Sequence, residues 1–335
     1  MAWVSAQHPI RRGEQTSKLT FLAADNVLEF DILTTAGEFL TVNSKTEPEL
    51  FWALKGGGPS TYAIILSATL RTYEALPAAG AVMTFTGITD PDVFWEGVRI
   101  FHAQSNHFVD SGLYVYFELV SMFLSVKPFL AVNQTVDELR AILAPMEEQL
   151  TAAGIGYDLA YSEHETAFDA YLELFDDEPA GAFSLTGGWL FSHKDVEKNN
   201  DAIIEAFKTV ASPREDLADQ GVMIGHLWNA GYGRPESNSA THPVFREATD
   251  FIITVLNLPV GSSIEKKADL QNVLTNTMDE ALRKAGKHGC SYVNEVSFFI
   301  LLFLRKTLHK LGRLQRLIGV TGRSVSEELA EGLLG

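Results

Sequence analysis

Between Asn26 and Leu70 the chain alternates twice between apolar and polar positions, with a short helical pattern between the two runs. In the first, Leu28, Phe30 and Ile32 are set against Glu29 and Asp31, the period-two signature of a half-buried strand. Ala36-Gly37 supplies a turn, so Glu38 to Val42 is expected to return as a hairpin partner. Thr46 and Glu49 have capping-box spacing, with Pro48 in the first turn. This predicts a short helix carrying Leu50, Phe51 and Leu54 inward. Gly56 ends it, because glycine takes the left-handed conformation at little steric cost. From Tyr62 to Leu70 the alternation resumes, with Ile64, Leu66, Ala68 and Leu70 expected on one face.

Beyond Ala78 strands and helices follow in irregular order. Thr89-Asp90-Pro91 predicts a helix start with Phe94, Val98 and Phe101 as its inner stripe. Leu113 to Val120 and Met122 to Val132 predict a hairpin. Thr135 to Ala152 reads as an amphipathic helix on Leu139, Ile142, Leu143, Met146 and Leu150, kinked at Pro145. Phe183 to Phe191 reads as a strand, and Ser192 caps a helix over Val196, Ile203 and Phe207. Val222 to Trp228 reads as a strand, and helices are expected over Pro243 to Leu256 and Ser263 to Ala285. Buried parallel sheets need continuously apolar strands in regular alternation with helices, which is not the pattern here. The expectation is therefore α+β: an antiparallel sheet covered by helices on one face. With 335 residues, 46% of them hydrophobic, the chain can bury the core of two domains.

Charge narrows the partners. A net charge of -17 opposes nucleic acid or an anionic membrane as the main partner and accords with a small-molecule substrate, neutral or cationic. Cys290, the single cysteine, excludes an internal disulfide and a cysteine-rich metal site, so no metal is expected. Met1 to Lys18 holds no apolar core of a signal peptide, which makes a cytoplasmic location the default expectation. Phe298 to Leu304 is too short to span a bilayer, which takes about 20 residues. The basic-apolar pattern after it reads either as a membrane-surface helix or as a misread exon.

Two groups of residues carry candidate chemistry. Gly56-Gly57-Gly58, followed by Ser60 and Thr61, is either a tight connection or a loop whose bare amides and hydroxyls donate to a phosphate or ring oxygen. It lies after a helix and before a strand, the reverse of the dinucleotide fingerprint. On the predicted strands, Tyr114, Tyr116 and Glu118 share one parity, and His226 shares its parity with Ile224 and Trp228. Tyr116, Glu118 and His226 are the catalytic candidates, with Glu118 as base. The alternatives are an ordinary solvated polar face and a hydrogen-bonded core histidine.

Three blocks in fixed order, Ala23-Ala24-Asp25-Asn26-Val27-Leu28-Glu29, Leu50-Phe51-Trp52-Ala53-Leu54-Lys55-Gly56-Gly57-Gly58 and Ser60-Thr61-Tyr62, resemble the fungal FAD-linked oxidoreductases. These are relatives of berberine bridge enzyme in the vanillyl-alcohol oxidase/p-cresol methylhydroxylase (PCMH-type) flavoprotein superfamily. Tyr292-Val293-Asn294-Glu295 is similar to the segment that re-enters the flavin domain there. The resemblance implies FAD as cofactor, with contacts at Asp25, Asn26, Val27, Gly56, Gly57, Gly58, Ser60, Thr61, Tyr292 and Asn294. It implies hydride transfer from a small organic molecule of secondary metabolism to flavin, with molecular oxygen as acceptor. It also divides the chain into the C-terminal portion of the FAD-binding domain (1–78), a substrate domain (79–290), a return segment (291–297) and a divergent tail (298–335). Family members carry a preceding region with a pyrophosphate loop and a flavin-linked histidine. His8 lacks the flanking glycines of that histidine, so the linkage is not carried onto it, and the chain reads as an N-terminally truncated member or as a gene model missing its first exons. Two outcomes stay open: an FAD-linked oxidoreductase, or a degenerate member that binds FAD poorly and has no catalysis of its own.

Overall fold

The computed structural model describes residues 22–58, 61–175, 184–231 and 239–292. They build two antiparallel sheets. The smaller unit runs α1 (Ala23–Asn26), β1 (Val27–Thr34), β2 (Phe39–Asn43), α2 (Pro48–Leu54) and β3 (Ala63–Leu70), with strand order β2-β1-β3. Phe30 and Ile32 of β1 and Val42 of β2 bury their side chains against Phe51 and Leu54 of α2. Phe30 meets Phe51 edge-on at 5.9 Å, as ring quadrupoles favour.

Three local expectations for this unit change. Thr46 does not cap α2: Asn43 Oδ1 accepts the amides of Lys45 and Thr46, and Glu47, at φ 50°, turns the chain into a helix that opens on Pro48. The asparagine turn competes with the capping box and wins. Leu28 is exposed, because the β1–β3 register shifts between Val27 and Glu29. A second shift, between Asp31 and Ile32, breaks the alternation of β3. Ile32 then pairs with Ile65, and Asp31 with Ser67, so Ile64, Leu66, Ala68 and Leu70 do not share a face.

The larger unit comprises β4 (Ala78–Phe85), α3 (Pro91–Ala103), α4 (Ser105–Asp110), β5 (Leu113–Val120), β6 (Phe123–Val132), α5 (Val136–Ala152), β7 (Tyr157–His164) and α6 (Ala167–Leu174). It continues through β8 (Ser184–Ser192), α7 (His193–Ala211), β9 (Gly221–Leu227), α8 (Val244–Glu247), β10 (Ala248–Asn257), α9 (Ile264–Val273), a π-helical turn (Leu274–Met278) and α10 (Asp279–Ala285). The order β7-β4-β6-β5-β9-β10-β8 is antiparallel throughout. Leu113, Val115, Phe117 and Leu119 of β5, Leu227 of β9 and Ile252 of β10 join one core with Phe94, Leu143 and Phe207 of α3, α5 and α7. Each such side chain contributes about 1.5–3 kcal/mol by leaving water. The predicted cap at Ser192 is formed, Asp90 and Ser263 also cap their helices, and α5 runs through Pro145 as one element.

The helix expected over Pro243 to Leu256 is overturned. Only Val244–Glu247 is helical, and Ala248–Asn257 is β10, bonded to β8 on one side and β9 on the other. Thr249, Ile252, Ile253, Thr254 and Val255 are β-branched, which favours a pleated strand once both edges are filled. Behind β10 lies a buried polar knot: His102 of α3 bonds Asp250 Oδ2 at 2.9 Å and Asn200 Oδ1 at 2.5 Å. The opposite face of the sheet is covered at one end by α6, whose Ala170 and Leu174 pack on Ala78 and Leu130. At the other end Leu22, Phe245 and Trp228 cover it. No described helix is long and apolar enough to cross a membrane, and no metal-ligand cluster occurs among the described residues. The tail beyond Tyr292, with the run Phe298 to Leu304, lies outside the described residues.

Candidate active site

Between those two covers, β5 and β9 present the candidate catalytic side chains together. Tyr116 stands directly opposite His226 in the β5–β9 register, and Glu118 opposite Ile224. The inward residues of both strands are committed to the helical core, so Tyr114, Tyr116, Glu118 and His226 all turn to the other face. Tyr116 donates to Glu118 Oε1 at 3.1 Å, and the Tyr114 hydroxyl lies 2.7 Å from His226 Nδ1. The expected trio is therefore assembled in space.

His226 is boxed by rings: Tyr116 edge-on at 5.2 Å, Phe251 stacked at 6.1 Å and Trp228 at 6.5 Å. Burial pulls its pKa down to about 4, so the imidazole is neutral near pH 7. Phe175, at the end of α6, touches both Tyr114 and Tyr116, and Tyr171 packs on Phe175 at 5.2 Å. On the far side Phe251 leads to Tyr292, which also meets Phe245. One aromatic surface thus runs from α6 across β5, β9 and β10 to Tyr292. Tyr114 belongs to the tyrosine-tyrosine-glutamate face that parity predicts, whereas nothing local marks Phe175.

The other expected contacts form a separate group on the small unit. Gly56 (φ 97°) and Gly57 close α2, their amides donating to Leu54 O at 3.1 Å and Ala53 O at 3.0 Å. They also let Ser239–Thr241 approach: Ala240 N donates to Lys55 O at 3.0 Å, and a Cβ on Gly56 would stand 2.3 Å from Thr241 Oγ1. Thr61 donates from both its amide and its hydroxyl to Gly58 O. Asn26 Oδ1 accepts from the Tyr73 hydroxyl at 2.9 Å, Val27 opens β1, and Asp25 is held by Arg246. Lys55 lies 4.7 Å over the Phe51 ring. Its ammonium is held below the usual lysine range by burial first, with Asp25 opposing and Arg246 reinforcing the shift. Arg246 and Lys55 escaped the sequence reading. Ser60 and Asn294 lie outside the described residues. A shallow depression of about 430 Å³ between Arg99, Glu197 and Asn200 is on the helical side of the sheet, away from both groups.

This architecture is that of the VAO-type flavoproteins. The VAO-type flavoprotein MtVAO615 of Myceliophthora thermophila C1 superposes with a TM-score of 0.75 at 22% identity, over 82% of this chain and 50% of that one. BBE-like 1 of Physcomitrella patens gives 0.64 at 14% identity, over 82% and 58%. In sequence the chain is a relative of the fungal FAD-linked oxidoreductases. It is 26% identical to FAD-linked oxidoreductase ZEB1 of Gibberella zeae, over 83% of this chain and 48% of the relative. With FAD-linked oxidoreductase patO of Aspergillus clavatus it shares 26% over 82% and 48%. FAD-linked oxidoreductase penH of Penicillium thymicola is 52% identical across 52 residues, 16% of this chain. No family model matches the chain. The chain spans about half the length of the curated relatives ZEB1 and patO.

Proposed function

We propose that this chain forms the substrate-facing part of an FAD-linked oxidoreductase that oxidises a small organic molecule, of alkaloid or polyketide type, in secondary-metabolite biosynthesis. In this reading residues 1–78 belong to the FAD-binding domain, 79–290 form the substrate domain and 291–297 return to the flavin. The observation that carries it is the meeting of Tyr116, Glu118 and His226 on one sheet face that the described residues leave open, in a chain whose relatives are named FAD-linked oxidoreductases.

The described residues fit FAD in part. The aromatic surface ending at Tyr292 suits a flat heteroaromatic ring. Gly58, at φ 81°, has among the described residues beyond its chain neighbours only Thr61 Oγ1 within 4 Å of a Cβ position, which leaves the backbone approachable. Lys55, Gly58, Thr61 and Tyr292 are the groups that would hold the cofactor. When bound, FAD supplies the hydride acceptor, and molecular oxygen is the proposed final oxidant. The Glu118 carboxylate takes the proton that a substrate hydroxyl releases, and Tyr116 orients that carboxylate through its 3.1 Å bond. The neutral His226 offers a hydrogen bond without adding charge.

A second reading, a degenerate member that binds FAD poorly and does no catalysis, is favoured by the glycine amides already bonded within α2. Titration of the chain with FAD, followed by oxygen uptake with candidate alcohols, separates the two. Binding with turnover that Glu118→Gln lowers by about 10²-fold or more supports the first. Flavin binding without turnover on any substrate, or no binding, supports the second.

A further inference from the structure

We propose that Tyr114 is a positioning residue: its hydroxyl donates to Nδ1 of His226 and fixes the imidazole as the Nε2–H tautomer, so His226 gives a hydrogen bond to the substrate oxygen and Glu118 alone accepts the proton. The use of that bond rests on the proposed function; the tautomer does not.

Register carries the first step. Tyr116 is the direct partner of His226, so Tyr114, two residues earlier on β5, reaches the imidazole diagonally, and its oxygen stops 2.7 Å from Nδ1. A phenol O–H is a strong donor and a phenol oxygen a poor acceptor, so the bond runs from Tyr114 to the ring nitrogen. With Nδ1 accepting, the proton of a neutral imidazole is on Nε2. Tyr116, edge-on at 5.2 Å, and Phe251, stacked at 6.1 Å, pack the ring in this orientation.

Charge carries the second step. Among the described residues the titratable groups facing His226 are Tyr114 and Tyr116, with Glu118 one pair further along β5; β10 offers Phe251 and its own strand Trp228. Asp250, the acid of β10, points to the other side of the sheet and is engaged by His102. Burial keeps His226 neutral down to about pH 4, so it donates from Nε2 without first being protonated. His226 and Glu118 thus take opposite roles, donor and acceptor, beside Tyr116.

The test is ¹⁵N NMR of the histidine side chains in the full chain, with His226→Gln identifying the His226 signals. The expected spectrum has His226 as Nε2–H, with an unprotonated Nδ1, from pH 8 to pH 6. Tyr114→Phe should lower the ratio of Nε2–H to Nδ1–H tautomer by about fivefold, the factor one lost hydrogen bond is worth. The signals of His102 and His193 should not move, which reports that the variant has folded. An Nδ1–H tautomer in the unaltered chain overturns the proposal, even if Tyr114→Phe proves unfolded. So does a folded Tyr114→Phe with an unchanged His226. Failure to bind FAD would defeat the proposed function and leave this measurement standing.

Discussion

Arg246 and Asp25, 221 residues apart in the chain, form a two-point ion pair, with Nη1 to Oδ2 at 2.5 Å and Nη2 to Oδ1 at 2.6 Å. Nη1 also donates to Ala230 O at 2.9 Å, so one guanidinium ties α1 of the small unit to the chain after β9. The Asp25 side chain is only 6% exposed. Without Arg246 it is a buried charge that has lost its two-point partner, with Lys55 nearby as a weaker cation.

Arg246→Ala should therefore destabilise the chain by about 2–3 kcal/mol, since it removes the two-point cation from a largely buried carboxylate. Asp25→Ala in the same chain should recover part of that loss. Urea unfolding of the two single variants and the double variant reads the coupling. Additive losses would mean that the pair does not join the units.

Gly56→Ala tests the loop. Its φ of 97° disfavours any side chain, and the new Cβ would meet Thr241 Oγ1 at 2.3 Å and Thr241 N at 2.9 Å. Backbone cannot yield as a side-chain tip does, so the expected cost is about 2 kcal/mol, not relieved by Thr241→Ser. A melting temperature unchanged from the parent would show that the 239–241 segment does not pack there in solution.

These two sites also mark how far the sequence could be read. The glycine loop, the outward parity of Tyr114, Tyr116 and Glu118, and the antiparallel architecture were legible because each rests on spacing within one element. Arg246 to Asp25 and Tyr114 to His226 were not, since strand order and register bring together groups separated by 221 and 112 residues. β10 was misread because Val244 to Leu256 is apolar enough for a buried helix as well as a strand, and short apolar runs do not separate the two by period. The bulges in β1–β3 left no local signal.

Asp279 should make stability depend on pH. Its carboxyl is fully buried, accepts from Thr254 Oγ1 at 2.9 Å, and faces Gly187, where a Cβ would stand 2.3 Å from Oδ1. Burial raises its pKa from 3.8 to about 7, against the weaker effects of Thr254 and Arg283. The folded chain thus keeps a proton that the unfolded chain has released, and this contribution is complete below about pH 4 and lost as pH rises through about 7. At about 1.4 kcal/mol per pH unit the window is worth up to about 4 kcal/mol. Asp279→Asn should flatten the dependence between pH 4 and 7. An identical slope in the variant would refute the assignment.

The last expectation concerns the strength of flavin binding. A pyrophosphate needs donors, and the glycine loop has fewer than its sequence promises. The amides of Gly56 and Gly57 are already bonded to Leu54 O and Ala53 O, and Arg246 already holds Asp25. A hydrogen bond to a charged group is worth about 1.5–3 kcal/mol, so two amides withheld cost about 3–6 kcal/mol. That is two to four powers of ten in affinity. Against a formal net charge of -17 there is little long-range attraction to make up the difference. The chain should bind FAD weakly, about micromolar or worse, and without a covalent bond. Lys55→Ala should weaken it further. Fluorescence titration gives the affinity, and acid precipitation gives the linkage, with all flavin expected in the supernatant. Flavin retained in the pellet would mean that a side chain of this sequence forms the bond, and His8, outside the described residues, is the first to substitute.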